Sequence, residues 1–218
     1  MANKFRSEIS KKKNSFNWGI ILISVFVAGI MITSILGYMW GGDENSSKYN
    51  EFTFRKTADG WTTQIKISKD SKPSTVRFDF APFEVERINI SEKIMTRLSN
   101  APMFYMTYDA LPANVTPTTE ESYFMQSISF AQYEIQQNLW KEKKLYTLLG
   151  LMTENPDYAL PQITCANATA STPVIEFRTG ETTQIFEEGN CIIFQSESPT
   201  DFIAIKDRFL LGVFGVIE

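Results

Sequence analysis

Hydrophobic and polar positions divide the chain into regimes with different periods. From Lys13 to Asp43 there is no charged residue, and Gly19 to Trp40 is an unbroken, largely apolar run of 22 residues. As a helix rising 1.5 Å per residue this run is about 33 Å long, enough to cross a hydrocarbon core of about 30 Å. Beyond residue 50 the period becomes two. Phe52 and Phe54, then Trp61, Thr63, Ile65 and Ile67, then Val76, Phe78 and Phe80 each alternate with more polar neighbours. That pattern predicts three strands with one buried face each. Asp59-Gly60 is a hairpin signal between the first two, and Lys69 to Ser74 turns the chain into the third.

The period then shifts again. Ser91 reads as an N-cap for a short helix that places Ile94, Met95 and Leu98 on one face. Met103 to Thr107 is a strand, and 109–118 is a Pro-containing loop. Thr119 is the expected cap of a long helix, with Glu120 and Glu121 favourable in its first turn. Phe124, Ile128, Ala131, Ile135 and Leu139 recur at its helical spacing. Leu145 to Met152 is nearly continuous in apolar residues, as expected of a strand buried on both faces. This strand–helix–strand succession implies parallel pairing through a right-handed crossover. Residues 173–178, 182–187 and 191–195 predict a second antiparallel meander, with Glu188-Gly189-Asn190 at its second turn. A final helix opens at Pro199-Thr200 and runs to Val216. Its stripe of Phe202, Ile205, Phe209, Val213 and Val216 is widened by Leu210, Phe214 and Ile217, so the helix is expected to be buried between other elements. The alternative is that part of it meets a partner or the bilayer surface.

The expected fold class is therefore α/β with a mixed sheet: an N-terminal transmembrane helix, then an ectodomain in which β-meanders flank a strand–helix–strand unit. Residues 1–17 are expected to be a cytoplasmic basic tail, 18–40 the transmembrane helix, 41–49 a linker and 50–218 the extracytoplasmic domain. Charge gives the helix a direction. Residues 1–17 carry about +4 and the remainder about −8. Lys11, Lys12 and Lys13 precede the apolar run, and Asp43 and Glu44 follow it. The positive-inside rule places the N-terminus in the cytoplasm, and Trp18, Tyr38 and Trp40 suit the two interfaces. A cleaved signal peptide would have a shorter apolar region and a small-residue cleavage site, which Tyr38-Met39-Trp40 does not provide. A pilin-type leader cut near Gly19 would have basic residues beside the cut, where Asn14 to Trp18 stand instead. Gly29, Thr33 and Gly37 fall four apart, a spacing that permits close helix pairing, although small residues are common in membrane helices.

Composition removes more chemistry than any motif adds. The chain has no histidine and only two cysteines. Histidine-dependent triads, histidine-ligated metals and four-cysteine metal sites within one chain are thereby excluded, and no metal or cofactor is expected. An acidic ectodomain does not suit nucleic acid. Cys165 and Cys191 form a natural disulfide in an oxidising compartment, closing a loop of about 27 residues; the alternative is two unrelated buried thiols. Four sequons, at Asn45, Asn89, Asn114 and Asn167, all follow the apolar run and mark surface positions for glycosylation if used.

Asp109 and Glu154 are the best candidate catalytic pair. Each follows the end of a predicted parallel strand, where α/β sheets bind ligands, with Thr107 and Thr153 on the same edge. Two carboxylates there would hold a divalent cation or share a proton. The competing reading is that Asp and Asn-Pro are ordinary turn residues. Asp207 and Arg208 on the final helix are expected on a solvated face. There is no Gly-rich phosphate loop; Ser and Lys are plentiful enough to leave serine–lysine catalysis open, but nothing brings one particular pair together in a site.

Several blocks carry a resemblance. Tyr49-Asn50-x-Phe52 with Trp61, Thr164-Cys165, Pro173-Val174-Ile175, Asn190-Cys191-Ile192-Ile193, and Asp207-Arg208 followed by Gly215 resemble stretches of uncharacterised archaeal single-pass membrane proteins. The resemblance implies an anchored ectodomain with a disulfide and no particular activity. The leading functional expectation is a cell-surface interaction or structural protein without catalysis. Its partners would be the lipid bilayer and either an envelope protein or a second copy, met through the transmembrane helix or the 200–216 helix. A carboxylate- or metal-dependent envelope enzyme and a pilin-like subunit are the alternatives.

Overall fold

The computed structural model describes residues 18–40, 45–66 and 72–217, with side chains in the first segment described at 18, 19 and 22–34. The expected basic tail, residues 41–44 of the expected linker, Ile67, residues 69–71 of the first long turn and the side chains of Tyr38 and Trp40 lie outside the described residues. The chain forms two compact units, 1–44 and 45–218.

The first unit contains one helix, α1 (Trp18–Trp40), 23 residues without a charge. Its described large apolar side chains are exposed. Thr33 Oγ1 donates to Gly29 O (2.9 Å) and Ile30 O (3.0 Å), so this hydroxyl is satisfied within the helix. A Cβ placed on Gly29 would meet open space. Among the described residues no helix is long and apolar enough to cross a membrane; in α1 the longest unbroken run of described side chains is 22–34.

The second unit is a mixed α/β domain with two sheets. The first is an antiparallel meander of β1 (Ser46–Tyr49), β2 (Phe52–Thr57), β3 (Gly60–Ile65) and β4 (Ser74–Phe78). Residues 46–49, expected in the linker, are thus a strand. Asn50 adopts φ 51° and turns β1 into β2, and Tyr49 pairs with Phe52. The second hairpin closes where Gly60 follows Asp59, as expected. Gly60 has φ 127°, and a Cβ there would stand 2.3 Å from Phe78 O on β4, so no other residue fits without strain.

Two short helices follow, α2 (Pro82–Val85) and α3 (Glu92–Asn100), with Ser91 Oγ accepting from Ile94 N as the α3 cap. The second sheet contains β5 (Met103–Tyr108), β6 (Tyr146–Leu151), β7 (Val174–Thr179), β8 (Gln184–Glu188) and β9 (Cys191–Ser196), in the order β6-β5-β7-β9-β8. α4 (Thr119–Lys143) makes the β5–β6 crossover, and the two strands are parallel as expected. The α4 cap is Thr118, one residue before the expected position, because Thr118 and Glu121 complete a reciprocal capping box.

Two expectations for this sheet are overturned. β7, β8 and β9 are not an antiparallel meander: β7 and β9 are adjacent and parallel, and β8 hairpins onto the outer side of β9. Burial explains the order. β7 and β9 are buried on both faces through Val174–Phe177 and Cys191–Phe194, apolar throughout except for Glu176, which suits central positions, whereas β8 buries only Ile185 fully and suits an edge. β6 is likewise an edge strand, with Tyr146 and Leu148 exposed, although its apolar run predicted burial on both faces.

One face of this sheet packs on the helices. Phe104, Phe177 and Phe194 meet Phe202 and Phe209 of α5 (Pro199–Val213) at centroid distances of 5.6–6.2 Å. The same core takes in Phe54, Val76 and Phe78 from the meander. The expected burial of α5 is what the structure shows. Its apolar stripe is consumed inside the domain, which leaves no apolar face of this helix for a partner among the described residues. The opposite face of the sheet has a smaller cluster. Tyr105, Val174, Cys191, Ile193 and Phe186 are covered by Ile163, Cys165 and Ala168 of the segment between β6 and β7.

Candidate functional site

The carboxyl edge of β5 and β6 places Asp109 and Glu154 just beyond adjacent parallel strands, both exposed. Thr153 Oγ1 donates to Asp109 Oδ1 at 3.0 Å. Beside them Asn155 is buried and ties the two loops together: its Nδ2 donates to Leu111 O (2.9 Å) and its Oδ1 accepts from Asp157 N (2.9 Å). These are the bonds of a turn, and Thr107 turns away to donate to Ile163 O (2.8 Å) beneath the segment between β6 and β7, a strap over this face of the sheet.

The densest charge cluster is elsewhere, and its location corrects a sequence expectation. Asp207 and Arg208 are not on a solvated face: Lys206 and Asp207 are fully buried and Arg208 nearly so. Lys206 Nζ stands 2.6 Å from Asp79 Oδ2 and 2.6 Å from Asp207 Oδ1. Asp207 Oδ2 accepts from Asp79 N and Phe80 N, each at 2.8 Å. Arg208 Nε donates to Ile88 O at 3.0 Å, with Tyr49 and Glu86 in electrostatic reach. Three successive residues of one helix thus reach the end of β4, the α2–α3 segment and β1. Burial pushes the Asp207 carboxyl up to about 6, against the pull of Lys206 and the Phe80 N–H. Burial alone would lower the Lys206 ammonium, but Asp207 and Asp79 outweigh it and raise it. Burial lowers the Arg208 guanidinium, and burial with Glu86 raises the Tyr49 phenol. A cleft of about 440 Å³ touches Asp79 and Phe80 from outside, lined also by Tyr123, Phe130 and Ile203. Lys206 lies below the cleft, its Nζ 5.6 Å from the Phe130 ring centroid, and does not line it. The cluster binds parts of the fold to each other. Its signal in the sequence was the run Lys206-Asp207-Arg208 inside an otherwise apolar helix.

Cys165 and Cys191 are joined in a disulfide, as expected. The bond clamps the 3-10 turn Cys165–Asn167 onto the start of β9. Beside it lies Glu176 of β7, only 3% exposed, which sequence reading did not single out. Asn45, Asn89, Asn114 and Asn167 are all exposed. Asn167 Oδ1 accepts from Thr164 N at 2.8 Å within the turn.

An open apolar surface of the second unit lies at the β6 edge. Tyr146 is 62% and Leu148 44% exposed, and the Trp140 ring of α4 packs on Tyr146 in a tilted arrangement at 4.6 Å. A cleft of about 230 Å³ on one side is lined by Gln136, Gln137, Trp140, Leu145, Tyr146 and Thr147. Another of about 310 Å³ includes Pro102, Met103, Tyr146, Leu148 and Thr172. Both are mainly apolar, and they flank the first part of β6; at its far end Leu151 pairs with residues 161–163, and Gln136 Nε2 donates to Thr147 O at 3.0 Å. In comparisons with known proteins, no family model, no curated protein and no solved structure matches this chain.

Proposed function

We propose that the chain is a membrane-anchored cell-surface recognition protein without catalytic activity, which takes up an extended segment of an envelope protein along the β6 edge. The observation that carries this reading is that edge: residues 146–149 have no outer partner strand, Tyr146 and Leu148 are exposed, and an apolar cleft lies on either side, the strand being bridged outward only further on, at Leu151. An open edge supplies backbone donors and acceptors for one more strand, and flanking clefts accept that strand's alternate side chains. Natural edges are usually short, charged or covered, and residues 146–149 of β6 contain no charge. The uncharged 23-residue α1, with lysines before it and acids after it, supports a single span with the N-terminus inside the cell.

The test uses the full chain in native membranes. A photo-crosslinker at position 148 is expected to capture a discrete envelope protein, and Tyr146→Asp or Leu148→Asp to abolish the capture while leaving the domain folded. Capture that survives both substitutions, or none in intact membranes, overturns the edge as the recognition surface. Release of the chain by alkaline carbonate would refute the span.

A further inference from the structure

The disulfide does not account for its own surroundings. Glu176 is buried under the strap that Cys165 holds down, and its two oxygens have different environments. Oε1 accepts from Arg178 Nε at 2.6 Å, and Arg178 Nη1 continues to Glu188 Oε2 at 2.7 Å. Oε2 points at Cys165 Sγ, 3.1 Å away. A disulfide sulfur has no proton to give, so this buried oxygen faces sulfur without a donor from it, an arrangement that costs free energy. Both sulfurs and a carboxylate oxygen lie within 4.8 Å of one another.

We propose that this centre has a second state: with the disulfide reduced, Cys165, Cys191 and Glu176 bind one divalent ion of the zinc class, which replaces the covalent clasp with a coordinate one. Thiolate and carboxylate are each zinc ligands, and three protein ligands leave a fourth tetrahedral position to water. At ordinary zinc–ligand distances such donors lie roughly 3.5–3.8 Å apart. Glu176 and Cys191 stand on the adjacent central strands β7 and β9, where Glu176 pairs with Ile193 two residues beyond Cys191. These two donors are fixed by the sheet. Cys165 is half-buried on the strap, outside any strand, and is the donor free to separate from Cys191.

Charge balance favours the metal over bare thiolates. The Glu176 charge is already met by Arg178. Two thiolates next to this carboxylate would add two like charges to a buried site, whereas two thiolates with a divalent cation add none. The steps balance. A dithiol or phosphine reductant supplies the two electrons that break the S–S bond, and each sulfur takes up a proton. The metal ion then displaces both thiol protons to solvent as two metal–sulfur bonds form. This inference rests on the buried face of the sheet and is independent of the β6 edge.

The test uses the full chain in detergent, reduced anaerobically with a phosphine and titrated with Co²⁺, with circular dichroism confirming the fold. One equivalent is expected to bind with a thiolate-to-cobalt charge-transfer band in the near ultraviolet and release of two protons, and the oxidised chain is expected to show neither. Cys191→Ser should abolish the band. Glu176→Gln, which preserves shape, should weaken Co²⁺ at least about tenfold, by analogy with the losses seen when a metal site's supporting groups are removed. Glu176→Asp should retain the band at reduced affinity if the Gln variant misfolds. The proposal is overturned if the reduced chain unfolds or gives no stoichiometric band, or if the position 176 substitution that folds leaves Co²⁺ affinity unchanged.

Discussion

Replacing Lys206 with Met isolates the electrostatics of α5 from its packing. The methionine side chain follows the lysine stem, so volume is nearly conserved and the charge is removed. What remains is Asp207, fully buried, with Oδ2 still held by two backbone N–H groups and Oδ1 without its cation. Removing one partner of a buried pair costs about 3–5 kcal/mol when the other stays charged. Asp207 can escape that cost by taking a proton, so the penalty depends on pH. In the native protein its folded value, about 6, is already above the ordinary 3.8. A carboxyl raised in this way contributes stability that is fully present below about pH 3.8 and is lost as pH rises through 6. At about 1.4 kcal/mol per unit, the loss across that window is about 3 kcal/mol. Without Lys206 the folded value rises further, and the window of loss extends toward neutral pH and above. The Met variant is therefore expected to be about 3–5 kcal/mol less stable than wild type at pH 8. At pH 5 the deficit contracts toward about 1 kcal/mol, the worth of the partly exposed Lys206–Asp79 contact. Urea unfolding of the 45–218 unit at pH 5, 6.5 and 8, followed by near-ultraviolet circular dichroism, measures both numbers. A deficit that does not change with pH, or one below about 1 kcal/mol at pH 8, refutes the reasoning. Adding Asp207→Asn to the Met variant should restore stability at pH 8, because the amide oxygen can still accept from one or both backbone N–H groups without a buried charge.

Three further outcomes follow from the same structure. Replacing both cysteines with serine should lower stability by roughly 3.5 kcal/mol, the chain-entropy value for a sequence separation of 26, measured as the urea midpoint under metal-free conditions. Gly60→Ala should cost more than about 1 kcal/mol, because φ 127° and a Cβ 2.3 Å from Phe78 O are both incompatible with a side chain; an unchanged thermal midpoint would contradict this. Lys206 has a raised folded value, so its contribution is fully present below about pH 10.5 and lost as pH climbs through that higher value. The wild-type domain should accordingly lose stability more steeply above pH 10.5 than the Lys206→Met variant does, read from midpoints between pH 9 and 12.

Local order in this chain was legible because it is encoded locally. Alternation in 52–65 and 76–80, the Asp59-Gly60 turn, the Ser91 cap and the 3.6 period of 124–139 each specify an element without reference to the rest of the fold. The β5–α4–β6 crossover followed from the order of elements. Adjacency was less legible. Residues 191–194 are an apolar run, and 174–177 are one but for Glu176, which announces central strands, yet the short link between β7 and β8 suggested a meander. The fold satisfies both by sending β8 past β9 to the edge. β6 failed in the opposite direction: its apolar run belongs to an edge strand with Tyr146 and Leu148 exposed, and periodicity cannot separate that from a strand buried on both faces. Glu176 was invisible because its neighbour at the disulfide, Cys165, lies on an irregular segment whose path has no periodicity to read, and one acid in a strand gives no pattern.

The charges on α5 were misread for a reason that explains their role. On a helix with one apolar stripe, Lys206-Asp207-Arg208 would fall on the open side. Here the meander sheet closes that side, so the polar positions become the contact between the two sheets' halves of the core. An apolar contact there would bury as much surface, and ion pairs of this kind add little net stability over it. Position is what they add. Asp207 accepts from two successive backbone N–H groups, at residues 79 and 80, and Arg208 reaches one carbonyl at 88, so a slip of α5 by one turn would leave a carboxylate, an ammonium and a guanidinium buried without partners. A smooth apolar helix face would tolerate that slip. On this argument the cluster fixes which of several similar packings the domain adopts. The expected signature is that a Lys206→Met, Asp207→Leu, Arg208→Met triple variant, which keeps none of these polar contacts, retains far-ultraviolet but loses near-ultraviolet dichroism, as the aromatic core settles into more than one arrangement.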